Sequence, residues 1–197
     1  LVDGDQIIAV CALDRKARGQ LTGDAVVVTV MTNLGFRLGM QSAGIRVVET
    51  AVGDRYVLEA LESEGLSLGG EQSGHVIFRD LAGTGDGLLT GVQLLDVVNR
   101  RHRPLDELAG AAMERLPQVL HNVWIERHDP DLVERLAPVV REVEASLGER
   151  GRVLIRPSGT EPLIRVMVEA GTRDAAESAA SRLVAEVGRS ASSGTGI

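Results

Sequence analysis

With 197 residues and 44% hydrophobic content, the chain can bury a real core and is long enough for one large or two ordinary domains; two small ones are expected. Aromatic residues are 2% of the chain and the net charge is -7, which argues against a base-stacking platform or a broad basic face for nucleic acid and confines any phosphate recognition to a local site. No run approaches the ~20 apolar residues that cross a bilayer, no charged-then-apolar leader opens the chain, and the lone Cys11 in "IIAVCAL" suits a buried unreactive thiol; a cytoplasmic protein with no membrane partner is expected.

In chain order, Asp5 can cap a helix over Gln6 to Ala17 that Gly19 ends in the left-handed region. "AVVVTV" (25–30) is continuous and β-branched, as a strand covered on both faces would be. Asn33 can cap a helix toward Gly44, "IRVVET" reads as a second strand, and Asp54 can cap "RYVLEALES" with Gly65 as its stop. Strand and helix alternate, so the first part is α/β. "LSLGGEQSGHVIF" breaks the rhythm with a Gly-Gly turn before a short strand, His75 to Phe78. A helix from Asp86 to about Arg101 follows, and Pro104 opens another that Pro117 ends. "HNVWIE" then alternates like a strand with one wet face, and a helix starts at Asp129 with Pro130 in its first turn. Two strands, Val153 to Ile155 and Leu163 to Val168, and a helix capped by Thr172 or Asp174 complete a compact α+β unit. The chain opens on Leu1, and "LVDGDQ" reads as the interior of something longer; a fragment is expected.

The connection Arg156 to Pro162 holds many donors for a loop between strands. Gly, Ser and Thr turns can aim backbone N–H groups into one concavity, Ser158 and Thr160 add hydroxyls, and Arg156 and Arg165 add guanidinium forks that match phosphate oxygens in pairs. The plain alternative is that Pro157, Gly159 and Pro162 merely shape the loop, with the arginines solvated or paired with Glu161 and Glu169. In "GEQSGH" (70–75), Glu71, Gln72, Ser73 and His75 suit a ligand with several hydroxyls, and His75 titrates near neutrality when unperturbed. Read alone, those residues equally suit a solvated turn glutamate and a histidine that satisfies strand-end backbone.

"VGDRYV" (52–57), "GGEQSGH", "TGDGLLT" (84–90) and "RPSGTEPLIRVMVE" occur in this order and together resemble the α-D-phosphohexomutase superfamily, and within it the bacterial phosphoglucosamine mutases, from the first residues to about Val187. That superfamily has four domains, and the chain resembles the third and fourth. The resemblance implies a mixed α/β domain III over 1–108 with the sugar-binding loop, a smaller α+β, TATA-binding-protein-like domain IV over 109–190 with the phosphate-binding loop, and a disordered tail over 191–197. It implies an isomerase that interconverts glucosamine 6-phosphate and glucosamine 1-phosphate through a bisphosphorylated sugar, on the way to UDP-N-acetylglucosamine and peptidoglycan precursors. A phosphoserine on the first domain, Mg2+ on the second and glucose or glucosamine 1,6-bisphosphate as activator belong to the same implication.

Residue by residue, Glu71 and Ser73 match the sugar-binding loop. Arg156, Ser158, Gly159, Thr160 and Arg165 match the phosphate-binding loop. His75 matches a histidine proposed in relatives to assist proton transfer, and Arg55 lies in a segment the family places near its cleft, with ion pairing to Asp54 or Glu59 as its plain alternative. Asp3, Gly4 and Asp5 look like the head of the metal loop, but Gln6 and Ile7 stand where the third carboxylate belongs, so no metal ligand is expected here. None of Asn33, Asn99 and Asn122 follows a Ser-His pair, so the nucleophilic serine loop is absent as well. The chain is therefore expected to be inactive alone and to need the missing N-terminal domains of its own polypeptide. Gln72 and "VGDRYV" favour the amino sugar; phosphomannomutase/phosphoglucomutase and a non-catalytic sugar-phosphate binding module are the alternatives.

Overall fold

The computed structural model describes residues 1–126, 129, 131–158 and 161–192. It divides into two compact units, Leu1–Arg115 and Leu116–Ile197.

In the first unit, α1 (Gly4–Ala17), β1 (Ala25–Thr29), α2 (Leu34–Ser42), β2 (Arg46–Thr50), α3 (Asp54–Ser63), β3 (Leu68–Gly70), β4 (Val76–Phe78), α4 (Gly87–Arg101) and α5 (Leu105–Ala112) follow one another. The sheet order is β2-β1-β3-β4, parallel except for the β3–β4 hairpin. Every residue of β1 is buried, because Val26 and Val28 face α1, α2 and α5 while Ala25 and Val27 face α3. This is the two-sided burial that a continuous apolar run predicts. Asn33 caps α2 by accepting from the Gly35 amide, and Asp86 caps α4 by accepting from the Leu88 and Leu89 amides.

Three local expectations are corrected here. Asp3, not Asp5, caps α1: its carboxylate accepts from the Gln6 amide while Gln6 reciprocates to the Asp3 amide, a capping box. Gly69 and Gly70 are not a turn but the core of β3, between β1 and β4. A Cβ on Gly69 would meet the Val27 carbonyl at 2.7 Å, and one on Gly70 would meet the His75 carbonyl at 2.5 Å. The strand has no room for side chains there, which is why it carries no strand-forming residues. Finally, α5 stops at Ala112 rather than running to Pro117; Met113 turns extended and buries its side chain with α1 and α2.

The second unit holds β5 (Gln118–Trp124), α6 (Leu132–Leu147), β6 (Arg152–Pro157), β7 (Leu163–Glu169) and α7 (Arg173–Ser192) in an antiparallel sheet of order β5-β7-β6. Ile164, Val166 and Val168 project toward α6 and α7, where Leu132, Leu136, Val143, Leu183 and Val187 close a core without aromatic residues. The helix expected from Asp129 starts at Leu132, and Pro130 lies outside the described residues. The tail expected from 191 begins inside α7, where Ala191 still packs on the core; residues 193–197 lie outside the described residues.

Candidate functional site

The hairpin loop Glu71 to His75 leaves the sheet at the carboxyl end of β3, the edge from which β1 and β2 also feed their helices. In open α/β sheets ligands gather at that edge. The loop closes on itself through the Gly74 amide, which donates to the Glu71 carbonyl (2.9 Å), and the Glu71 amide, which donates to the His75 carbonyl (3.0 Å). Gly74, at φ 95°, takes a conformation that suits glycine. The loop then docks on helix N-termini. The Gly4 amide of α1 donates to the Gln72 carbonyl (3.2 Å), and the Gly53 amide before α3 donates to Glu71 Oε1 (3.0 Å). Amides at helix starts favour an acceptor oxygen, so Glu71 is anchored through Oε1.

Ser73 is exposed at the loop tip and His75 is half-buried. The imidazole lies directly over Gly85, where any side chain would collide with the ring, and its Nε2 stands 3.8 Å from Asp54 Oδ2. Glu71, Ser73 and His75 thus share one short loop. Arg55 does not join them: it projects from α3, stacks over Tyr56 at 5.4 Å and donates to Glu59 (2.8 Å), a hydrogen bond and charge that raise its already high pKa.

The second unit presents a different chemistry on the sheet face opposite its helices. Register places Gln118, Glu169 and Arg152 in one row across the sheet, and Asn122, Arg165 and Arg156 in another four residues away. The first row is neutralised: Gln118 donates to Glu169 (3.0 Å), and Arg152 pairs with the same carboxylate (2.9 Å). The second row is not. Arg156 and Arg165 stand directly opposite each other, no carboxylate among the described residues lies within ion-pair distance of either, and Arg165 Nε is buried without a hydrogen-bond partner. Burial, followed by the Arg165 charge, lowers the Arg156 pKa. Neither Glu161 nor Glu169 pairs with these arginines, so the plain alternative loses its ion pairs.

The backbone half of the expected cradle is only partly present. Ser158 is buried and its amide donates to the Leu163 carbonyl (2.9 Å), so that donor is engaged within the loop. Gly159 and Thr160 lie outside the described residues. The donors that remain in view are the two guanidinium groups. Asn122 was not singled out from sequence, although the alternation of "HNVWIE" already put it on the wet face. Asp54 and Gly53 were also missed as neighbours of the loop, because only the fold brings α3 to it.

No group of three His, Cys, Asp or Glu side chains among the described residues is placed to hold a metal ion. Asp3 caps α1 and pairs with Arg115 (3.4 Å), and Asp5 points into the interior. The residues in view therefore do not fit Mg2+. No helix of the described residues is long and apolar enough to cross a membrane.

Comparison with known proteins assigns both units to one family. Residues 3–116 match the phosphoglucomutase/phosphomannomutase alpha/beta/alpha domain III, and residues 105–186 match the C-terminal domain of the same family. A protein of Frankia alni named phosphoglucosamine mutase is 58% identical over 188 residues, covering 95% of this chain and 41% of the relative. One of the same name from Leifsonia xyli subsp. xyli is 57% identical over 183 residues, covering 92% of this chain and 40% of the relative. The chain thus spans about two fifths of the length of the curated relatives it matches. Among solved structures, N-acetylphosphoglucosamine mutase of Aspergillus fumigatus in complex with GlcNAc-6P and magnesium aligns with a TM-score of 0.73 at 19% identity, over 96% of this chain and 44% of that one. The same fungal enzyme in complex with glucose 1,6-bisphosphate aligns with a TM-score of 0.73 at 21% identity, over 96% of this chain and 44% of that one. At such identities the likeness is one of fold. The two family matches run from residue 3 to residue 186, and the chain belongs to the phosphoglucomutase/phosphomannomutase family, of which it carries domain III and the C-terminal domain.

Proposed function

We propose that this chain is the sugar- and phosphate-gripping portion of a phosphoglucosamine mutase, an isomerase that interconverts glucosamine 6-phosphate and glucosamine 1-phosphate through a bisphosphorylated sugar. The observation that carries this reading is the Arg156–Arg165 row. Like charges opposite each other on neighbouring strands repel, and a doubly charged phosphate facing both guanidinium groups turns that repulsion into two charge-assisted hydrogen-bond pairs. Glu71 and Ser73 accept and donate to ring hydroxyls, and His75, on the same short loop, takes up the proton that leaves a hydroxyl. Phosphoryl transfer depends mainly on holding the reacting groups in line, so a fixed remote phosphate and a gripped ring are the contributions a chain without nucleophile or metal makes. Mg2+, for which the described residues offer no ligand set, would be held elsewhere in the whole enzyme and would supply charge neutralisation there. The names of relatives that are 57–58% identical favour the amino sugar. A bacterial, cytoplasmic phosphoprotein that feeds cell-wall precursor synthesis fits that reading.

The test is turnover by a full-length protein that joins this chain to the family's first two domains, supplied with Mg2+ and glucose 1,6-bisphosphate. Glucosamine 6-phosphate is expected to be the preferred substrate. A preference for mannose or glucose phosphates reassigns the chain to phosphomannomutase/phosphoglucomutase, and ligand binding without turnover of any of them leaves a binding module.

A further inference from the structure

Asp5 is fully buried, at 0% exposure, in the first turn of α1. Its Oδ2 accepts two hydrogen bonds, one from the Asn33 amide that starts α2 (2.9 Å) and one from Gln72 Nε2 of the hairpin loop (3.2 Å). Beside it, the loop backbone rests on Gly4, where a Cβ would meet the Gln72 carbonyl and the Gly74 amide nitrogen at 2.6 Å. A buried carboxylate carries a desolvation cost that a neutral residue of the same shape avoids, so a mere packing role does not call for one. Its charge strengthens the two hydrogen bonds it accepts. Because Gln72 turns inward to reach it, Ser73 is left pointing to solvent, and Glu71 is left to the Gly53 amide.

We propose that Asp5 is a positioning residue for the Glu71 to His75 loop, acting through Gln72 to fix where Glu71 and Ser73 meet the hydroxyls of a sugar phosphate. The inference rests on the sugar-binding reading of that loop. The link spans 67 positions of sequence, which makes the first turn of the unit part of the loop's foundation.

The test uses the full-length protein bearing Asp5→Ala, Asp5→Asn, Gln72→Ala or Asp5→Ala with Gln72→Ala. Loss of one charge-assisted hydrogen bond is expected to raise KM for glucosamine 6-phosphate about tenfold in Asp5→Ala and Gln72→Ala, with kcat within about threefold. The double variant should be no worse than either single one, since both remove the same link. Asp5→Asn keeps an acceptor oxygen but loses the charge, and its KM should fall between those of the parent and Asp5→Ala. Gln72→Ala changes a half-buried side chain and leaves the Asn33 amide on Asp5, so it decides the matter if Asp5→Ala does not fold. An unchanged KM in Gln72→Ala, or additive effects in the double variant, overturns the proposal. Amide hydrogen exchange of the same proteins separates the two levels of inference. Faster exchange at Glu71 and Gly74 in Gln72→Ala, in a parent that turns over no sugar phosphate, sinks the substrate reading and keeps the positioning role. Unchanged exchange there sinks the positioning role whatever the substrate.

Discussion

Arg152 and Arg156 stand four residues apart on β6 and share a face of the sheet, yet one meets a carboxylate across the strand and the other meets a second arginine. Their replacement should separate structure from binding. Arg152→Met leaves Glu169, at 0% exposure, without its cation and is expected to lower stability by about 3 kcal/mol in chemical denaturation. Arg165→Met removes a repulsive neighbour, so unliganded stability should hold or rise by up to ~1 kcal/mol, while the upward shift in melting temperature given by inorganic phosphate disappears. A phosphate shift that survives Arg165→Met would place the anion elsewhere.

Asp5 also makes stability depend on acidity. Burial pushes its carboxyl from 3.8 up to about 6, opposed in part by the Asn33 amide and helped by the Asp3 charge. A raised folded-state pKa means that the stability linked to this proton is full below about pH 4 and is lost as pH rises through about 6, a span of roughly 3 kcal/mol. Asp14 works in the opposite sense. Its burial is outweighed by the hydrogen bonds of Arg100 and the charges of Arg18 and Arg101, so its carboxyl is held low and its contribution is lost on acidification. The parent alone therefore mixes the two trends. Asp5→Asn is expected to be more stable than the parent by about 2 kcal/mol at pH 8 and equal to it near pH 4.5; a gap that does not change with pH counts against the assignment.

At the scale of elements, the sequence was legible wherever local chemistry and tertiary packing agree. The valine run of β1, the Asn33 and Asp86 caps, and Thr172, whose hydroxyl accepts from the Ala175 amide at the start of α7, all follow from residue type and spacing. It misled where packing alone decides. Asp3 and Asp5 are equivalent as capping residues in isolation, and only the Asn33 amide and Gln72 draw Asp5 inward. β3 was unreadable because its glycines record the closeness of Val27 and His75, not a preference for turning. Gly69→Ala should therefore cost about 2 to 3 kcal/mol in urea unfolding, since the obstructing atom is backbone. Gly188→Ala, on the exposed side of α7 with nothing within 4 Å of the added carbon, should gain about 0.5 to 1 kcal/mol by helix propensity alone.

For the whole molecule, the scarcity of aromatic residues leaves cores that are mostly aliphatic: that of the second unit has no aromatic side chain, whereas that of the first buries both phenylalanines of the chain, Phe36 and Phe78. The motif loops of both units stand out in the sequence because their residue types are unusual for plain connections. The unpaired state of Arg156 and Arg165 was not, since pairing depends on the register of three strands. Nor did composition reveal the stripe on α4, where Leu88, Val92 and Leu95 recur at helical spacing and remain 85%, 62% and 69% exposed. Such a stripe promotes self-association. Changing the three to Gln or Lys should lower the concentration-dependent light scattering of this chain with less than about 1 kcal/mol change in stability, as expected for exposed positions.

Trp124 gives this arrangement an optical consequence. It is the only tryptophan, 65% exposed, and lies across from Leu163 on the face that carries Asn122 and Arg165. All indole emission of the chain therefore originates beside two unshared cations. Iodide will be drawn toward that fluorophore and caesium driven from it, so the contrast between the two quenchers reads the charge of the row without any label.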